Sequence, residues 1–153
     1  MDAIDRRILA SLQKDATLPI AEVAERAGLS TTPCWRRIQN LEKAGVIQRR
    51  VALLDPLKMN VGVTVFVRVK TSQHNVGWLE RFAKGVADIE EVVEFYRLSG
   101  DIDYLLRIVV PDIAAYDQVY KRLISVAELA DVSSNFTMET LKYTTVLPVG
   151  YAK

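Results

Sequence analysis

Two short helical segments separated by a glycine-containing turn are the feature that most constrains how this 153-residue chain folds. The first begins at Pro19 or Ile20 and runs to Ala27, has an apolar stripe at helical spacing and is ended by Gly28. The second, over residues 31–44, can be capped by Ser30 or Thr31 and stops at Gly45. Two helices of this length, joined by a turn of three to four residues, have the spacing of a helix-turn-helix.

An amphipathic helix precedes this pair. Ile4, Ile8 and Leu12 recur every four residues, which predicts a helix over residues 2–14. The next few residues include a proline and end it. We therefore expect residues 1–50 to form a helix-turn-helix domain that inserts its third helix into the major groove of DNA.

The predicted third helix has two chemically different faces. At 100° per residue, Cys34, Ile38 and Leu41 share one face, which we expect to pack on the other two helices. Cys34 is accordingly interpreted as a small core residue rather than a thiol sensor. The opposite face carries polar side chains such as Arg36 and Gln39. Arginine can bind guanine and glutamine can bind adenine through two hydrogen bonds in the major groove.

The residues expected to contact DNA lie on this polar face, at the start of the helix and just beyond its end. Threonines at a helix start suit phosphates or a thymine methyl group, and arginines after the helix suit the DNA backbone. Trp35 has two interpretations: it stacks at the duplex, or it covers the junction with the preceding helix. For any one of these side chains alone, a solvated helix face is the alternative. The candidate DNA-binding residues are Ser30, Thr31, Thr32, Trp35, Arg36, Arg37, Gln39, Asn40, Lys43, Arg49 and Arg50.

The distribution of charge favours a polyanion as the partner of the N-terminal region. The net charge of +1 is uninformative by itself. However, residues 1–54 carry nine basic and six acidic side chains, whereas residues 55–153 carry eleven and thirteen. Residues 30–50 contain five basic side chains and one acidic side chain, that of Glu42. A small basic end on a mildly acidic body can orient a protein on double-stranded DNA.

Composition argues against several other classes of protein. No apolar run reaches the roughly 18 residues of a membrane span, and the charged N-terminus differs from a secretion signal, so we expect a cytoplasmic protein with no membrane partner. The single cysteine, Cys34, excludes an internal disulfide and a multi-cysteine zinc site. His74 is the only histidine, and no nucleophile–base–acid set can be assembled. We therefore expect no enzyme activity, no metal and no cofactor.

The periodicity changes after residue 46. Runs rich in β-branched residues now alternate with helical patterns. We interpret residues 51–60 as a linker strand and residues 61–153 as a second domain. Its predicted elements are a strand over 60–70, a helix over 78–86, strands over 92–98 and 104–110, a helix over 113–124 and a long strand over 132–147. This βαββαβ order is that of a ferredoxin-like domain, so the predicted fold class is α+β.

The first strand of this domain is apolar on nearly both sides. Five valines, at alternate positions from Val61 to Val69, face one way, while Phe66 lies among the residues that face the other way. A strand with this pattern is typically buried on both faces of its sheet. Two helices of one subunit cover only one face, which favours a dimer formed sheet to sheet.

Several motifs make the sequence recognisable. They include Ile4-Asp5-Arg6-Arg7-Ile8-Leu9, Ala27-Gly28-Leu29-Ser30, Leu41-Glu42, Gly45-Val46-Ile47 and Leu98-Ser99-Gly100-Asp101-Ile102-Asp103-Tyr104. With these motifs the chain resembles the leucine-responsive/asparagine regulator (Lrp/AsnC, or feast/famine) family over nearly its whole length. The resemblance implies a winged helix-turn-helix, a ferredoxin-like domain that dimerises through its sheet, and further assembly, commonly into octamers. It also implies that a small amino acid binds between dimers and alters DNA binding.

A finer resemblance concerns the identity of that amino acid. Val51-Ala52-Leu53-Leu54-Asp55-Pro56 and Lys142-Tyr143-Thr144-Thr145 are similar to the branch of cysteine-responsive detoxification regulators. This similarity makes L-cysteine the favoured effector.

The turn around Gly100 is the candidate effector site. One explanation is purely structural, because Gly and Asp tolerate the backbone conformations of tight turns. The other is that amides of the turn bind the carboxylate of an amino acid while an aspartate binds its ammonium group. The candidate effector-binding residues are Gly100, Asp101, Ile102, Asp103, Thr137 and Glu139.

The leading hypothesis is therefore a sequence-specific transcriptional regulator that senses a small amino acid. An architectural chromatin protein that binds DNA without an effector is the alternative, since it would use the same helix and the same oligomer.

Overall fold

The computed structural model describes residues 1–73 and 75–153, so that His74 lies outside the described residues. The chain divides into two compact units. The first consists of residues 1–53 together with residues 141–153, and the second of residues 54–140. The C-terminal tail (residues 141–153) was expected in the second domain, but its contacts group it with the first unit.

The first unit contains the three predicted helices, α1 (Ala3–Leu12), α2 (Ile20–Ala27) and α3 (Thr31–Lys43). Asp2 caps α1 by accepting hydrogen bonds from backbone N–H groups of the first turn. Gly28 ends α2 in the left-handed conformation, at φ 73°, which a glycine adopts without steric cost.

The core of this unit contains the stripe expected from helical periodicity. Cys34, Ile38 and Leu41 of α3 are buried against apolar residues of α1 and α2, including Ile8 and Val23. Burying an aliphatic side chain of this size stabilises a fold by roughly 1.5–3 kcal/mol. Burial also raises the pKa of the Cys34 thiol, as is typical of an inert core cysteine.

The second unit forms one antiparallel sheet covered by two helices. Its elements in chain order are β1 (Val63–Lys70), α4 (Val76–Ala87), β2 (Val92–Arg97), β3 (Tyr104–Val110), α5 (Ile113–Val126) and β4 (Asp131–Phe136). The strand order is β2-β3-β1-β4, and each neighbouring pair is antiparallel. The predicted α+β class and the βαββαβ order are confirmed.

One face of this sheet packs on α4 and α5. Val65, Val67 and Val69 of β1 are fully buried there. An aromatic cluster fills the space beneath α4, where the rings of Trp78 and Phe82 stack with their centroids 4.9 Å apart. This core accounts for one side of the apolar alternation in β1.

The other face of the sheet, which we call the open face, is not covered by either helix. Phe66, Arg68 and Lys70 of β1 point to it and are exposed. On β3, Arg107 lies opposite Phe66 and Leu105 lies opposite Arg68, so both side chains are on the same face. The open face therefore mixes apolar and charged side chains.

Two strand predictions are wrong for the single chain. The long strand expected over 132–147 stops at Phe136. Its partner β1 begins at Val63, and the pairing ends with a hydrogen bond from Thr137 N to Thr64 O. The linker strand expected over 51–60 does not form: among the described residues, 51–55 pair with no strand and 56–60 form a turn. The chain beyond β4 instead ends in a short 3₁₀ helix, η1 (Val149–Tyr151), which contacts α1.

Candidate functional site

The polar face of α3 is the first candidate site. Thr31, Thr32, Trp35, Arg36, Asn40 and Lys43 are all exposed along the helix, as are Ser30 before it and Arg49 and Arg50 after it. Ser30 occupies the cap position of α3, but its side chain makes no capping hydrogen bond. The side chains expected to contact DNA are thus largely accessible on one surface, and their role as contacts remains a prediction.

Trp35 is 48% exposed, although it neighbours the buried Cys34 in sequence. An indole this accessible is available to stack on a duplex. Its interpretation as cover for the helix junction likewise stays a prediction, since about half of its surface is not exposed.

Arg37 differs from the other candidates because it is already paired. Its Nη1 donates to Asp2 Oδ2 at 2.7 Å and to Asp5 Oδ1 at 2.8 Å. The arginine therefore fastens α3 to the first turn of α1. A DNA contact by Arg37 stays a prediction, and any such contact would compete with two carboxylates.

Gln39 also has a partner within the unit. Its Nε2 donates to Glu42 Oε2 at 2.9 Å, and the second oxygen of the same carboxylate accepts from Arg50 Nη2 at 3.0 Å. Glu42 is not among the predicted DNA-binding residues, since an acid among basic residues contributes nothing obvious to DNA affinity. Its spacing of three residues from Gln39 on a helix was the signal that could have identified it.

The turn between β2 and β3 is the second candidate site. Gly100 has φ 118°, a conformation that favours glycine, and the turn is exposed. Asp103 is engaged structurally, since its carboxylate accepts from Thr71 N at 2.8 Å and its own N–H donates to Val69 O at 3.0 Å. Asp101 is exposed, so of the two aspartates it is the accessible one.

A polar pocket of about 280 Å³ adjoins this turn on the open face of the sheet. It is lined by Arg68, Lys70, Asp101, Ile102, Asp131 and Ser133. The pairing of Lys70 with Asp131 and of Arg68 with Ser133 in register brings these side chains together. Sequence reasoning missed the residues from β1 and β4, because strand register was required to join them to the turn.

Thr137 and Glu139 do not join this pocket in the single chain. Thr137 follows the end of β4 that pairs with Val65, whereas the pocket lies at the Lys70 end of β1. The hydroxyl of Thr137 is buried without a hydrogen-bond partner among the described residues, and Glu139 is exposed. The six candidate effector residues therefore form two separate groups.

Two family models together match most of the chain. Residues 1–48 match a model of winged helix-turn-helix DNA-binding domains, and residues 64–147 match a model of the Lrp/AsnC ligand binding domain. The chain belongs to the Lrp/AsnC family. It is accordingly a transcriptional regulator with a DNA-binding helix-turn-helix and an amino-acid-binding domain of that family's type.

Characterised relatives of this Lrp/AsnC protein are regulators. It is 51% identical over 149 residues to the glutamate uptake regulatory protein of Zymomonas mobilis, covering 97% of this chain and 91% of the relative. It is 49% identical over 150 residues to the DNA-binding transcriptional activator DecR of Escherichia coli, covering 97% and 99% of the two chains. These relatives are transcriptional regulators rather than enzymes.

Solved structures support the same assignment. An AsnC family transcriptional regulator from Agrobacterium tumefaciens is 61% identical, with a TM-score of 0.97 over the full length of both chains. A transcriptional regulator from Neisseria meningitidis, solved as a complex with L-Met, is 36% identical with a TM-score of 0.93, covering 98% and 97%.

Within residues 1–73 and 75–153, no helix is long and apolar enough to cross a membrane. The same residues contain no group of three or more His, Cys, Asp or Glu side chains that could hold a metal ion.

Proposed function

We propose that this protein is a sequence-specific regulator whose assembly and DNA affinity respond to a small amino acid bound by its second unit. The observation that carries the proposal is the division of α3 into a buried stripe and an exposed polar face with Arg36 at its middle. A helix with this division can pack on its own domain and still present hydrogen-bonding groups to base edges.

The polar pocket beside the Gly100 turn supports the amino-acid half of the proposal. A free α-amino acid carries a carboxylate and an ammonium group, and the pocket offers both opposite charges. Arg68 and Lys70 can pair with the carboxylate, while Asp101 and Asp131 can pair with the ammonium group. Charge-assisted hydrogen bonds of this kind are stronger than neutral ones.

L-cysteine is the first effector to test, because the sequence is similar to the cysteine-responsive branch. L-methionine is the second, since the related Neisseria meningitidis regulator was solved with L-Met. The pocket discriminates poorly among amino acids by charge alone, as every α-amino acid shares the two groups it would bind.

The open face of the sheet supports self-association. Phe66 is 37% exposed and Tyr96 is 49% exposed there, and Leu105 and Val109 are half-buried. The Glu94–Arg107 ion pair on this face neutralises two of its charges. A second copy laid against this face would cover these apolar side chains, and dimers built in this way could assemble further, up to an octamer.

Self-association also matters for DNA affinity. Residues 1–54 have three more basic than acidic side chains, which provides only a few phosphate contacts for a single copy. When two copies associate, binding of the first DNA-binding unit makes binding of the second to the same DNA an intramolecular step. The affinity of the oligomer for DNA then rises without any additional contact residue.

One combined experiment tests the proposal. Native mass spectrometry with a panel of amino acids reports stoichiometry and bound effector, and a gel-shift titration on the DNA upstream of the protein's own coding sequence reports affinity. We expect one amino acid to bind, to change the distribution of oligomers and to change the DNA affinity. Weakly selective binding to long DNA that no amino acid alters would favour an architectural chromatin protein instead.

A further inference from the structure

Glu42 is an acid on a helix expected to approach DNA. It is the single acidic side chain among residues 30–50, near the C-terminal end of α3. A carboxylate near phosphates raises the electrostatic free energy of binding. Glu42 therefore weakens affinity for DNA in general, and its presence on this surface calls for another role.

Both oxygens of the Glu42 carboxylate are occupied by groups that we expect to face DNA. Oε2 accepts from Gln39 Nε2 at 2.9 Å, and Oε1 accepts from Arg50 Nη2 at 3.0 Å. The Glu42 side chain is 35% exposed, so it is partly shielded by these partners. One carboxylate thus connects a candidate base-reading residue to a candidate backbone-contacting residue.

The chemistry of this contact fixes the orientation of the Gln39 amide. An ionised carboxylate only accepts hydrogen bonds, so the amide must turn its nitrogen toward Glu42. One N–H of the amide is then used, which leaves the other N–H and the carbonyl oxygen available. These two groups are the pair through which glutamine binds N7 and N6 of adenine.

We propose that Glu42 is a positioning residue for base readout, which holds the Gln39 amide in the orientation that selects adenine and holds Arg50 beside the end of α3. The inference rests on the proposed DNA-reading role of α3. A purely stabilising ion pair is a poor alternative explanation, because pairs as exposed as this one contribute little to stability. Glu42 would then lower affinity for all DNA while raising discrimination between sequences.

The test compares Glu42→Gln with the unmodified protein by selection from a pool of randomised duplexes. The substitution keeps the size of the side chain, but its amide both donates and accepts, so it no longer fixes the Gln39 amide. We expect the preference for adenine at one base position to fall about tenfold. Affinity for unselected DNA should rise about threefold at low salt, because a negative charge is lost.

Glu22→Gln is the matched control. Glu22 forms an ion pair with Arg26 on α2, so this variant removes the same charge from the same unit without touching Gln39. It should leave the adenine preference unchanged. A second variant, Glu42→Asp, keeps the charge but shortens the side chain, and we expect it to lose the preference without gaining affinity for unselected DNA.

Gln39→Ala completes the experiment. In that background Glu42→Gln should have no further effect on base preference, because the residue that it positions is absent. Melting temperatures of all variants identify any that fail to fold. Retention of the adenine preference by a folded Glu42→Gln protein would overturn the inference and leave the proposed function intact. Selection of no sequence by the unmodified protein would overturn both.

Discussion

The side-chain amide of Gln13 and the backbone of Leu147 exchange two hydrogen bonds. Gln13 Nε2 donates to Leu147 O at 2.9 Å, and Leu147 N donates to Gln13 Oε1 at 2.9 Å. Arg6 Nη2 also donates to Ala152 O, at 2.7 Å. The tail that follows the second unit is thereby held at Arg6 within α1 and at Gln13 directly after it, and belongs to the first unit.

Gln13→Ala should destabilise the first unit by about 1–2 kcal/mol, because both hydrogen bonds are lost together. Chemical denaturation followed by far-ultraviolet circular dichroism measures the change. Gln48→Ala is the control, since Gln48 is exposed and its side chain makes no hydrogen bond in the part of the chain that the structure describes. Equal stability of the two variants would mean that the tail is not held at Gln13 in solution.

The neighbouring arginines of α3 should behave differently when each is replaced by alanine. Arg37 pairs with two aspartates at the start of α1, so Arg37→Ala should lower the melting temperature. Arg36 is exposed, so Arg36→Ala should leave the melting temperature unchanged but reduce discrimination at a guanine about tenfold.

Thermal melting and binding to selected duplexes separate the two roles. Should Arg36→Ala bind with unchanged affinity and selectivity, the assignment of this face to DNA reading would fail. A melting temperature unaffected by Arg37→Ala would show that its ion pairs are not maintained in solution.

The Asp2 carboxylate predicts how the first unit responds to acid. Hydrogen bonds from the backbone N–H of Asp5 and from Arg37 lower its pKa below the ordinary value of 3.8. Because the folded-state pKa is depressed, the stabilisation is fully present above pH 3.8 and is lost as the pH falls through the lower folded-state value. Asp2→Asn should remove part of the acid sensitivity, which melting curves at neutral and acidic pH will measure. Parallel loss of stability in both proteins on acidification would contradict this assignment.

The helices and the βαββαβ order of elements followed from periodicity, whereas the ends of the extended segments did not. Residues 132–147 contain a strand-like pattern throughout, but only the part opposite β1 finds a partner. A strand requires a neighbour to satisfy its backbone groups, and a pattern of side chains carries no information about where that neighbour ends.

The candidate sites also contain some features that local periodicity predicts and others that depend on how distant segments pack together. The buried stripe of α3 was predictable because a helix has a fixed angular period. The ion pairs of Arg37 depend on where α1 lies, and the contact of Glu42 with Arg50 depends on the chain after α3, so local spacing alone did not determine them. The charged pocket likewise required the register that brings Lys70 opposite Asp131.

Gly85 on α4 predicts how tightly the second unit is packed. A Cβ at this position would lie 2.3 Å from Val126 Cγ1 on α5, which is closer than two non-bonded carbon atoms can approach. Gly85→Ala should therefore destabilise the protein by about 1–2 kcal/mol, since overpacking outweighs the better helix propensity of alanine.

Gly77→Ala on the same helix is the matched control. Among the described residues its Cβ would meet only Asn75 Oδ1, at 3.7 Å, so the substitution should be neutral or slightly stabilising. The double variant Gly85→Ala/Val126→Ala should recover part of the loss, because it removes the clashing methyl groups. A stabilising Gly85→Ala substitution would show that α4 and α5 are further apart than the structure places them.

The charges of the polar pocket predict which variants lose the effector. Asp101→Asn should weaken binding of the responsive amino acid about tenfold or more, because the ammonium group loses a charged partner while the size of the side chain is kept. Arg68→Gln should have a similar effect, because the carboxylate of the amino acid loses a charged partner.

Asp117→Asn on α5 is the control, since this aspartate is outside the pocket and pairs with Lys121. Thermal shift with increasing amino acid measures each affinity, because a ligand that binds only the folded state stabilises it by RT ln(1 + [L]/Kd). If Asp101→Asn and Arg68→Gln respond like Asp117→Asn, the effector binds elsewhere on the second unit.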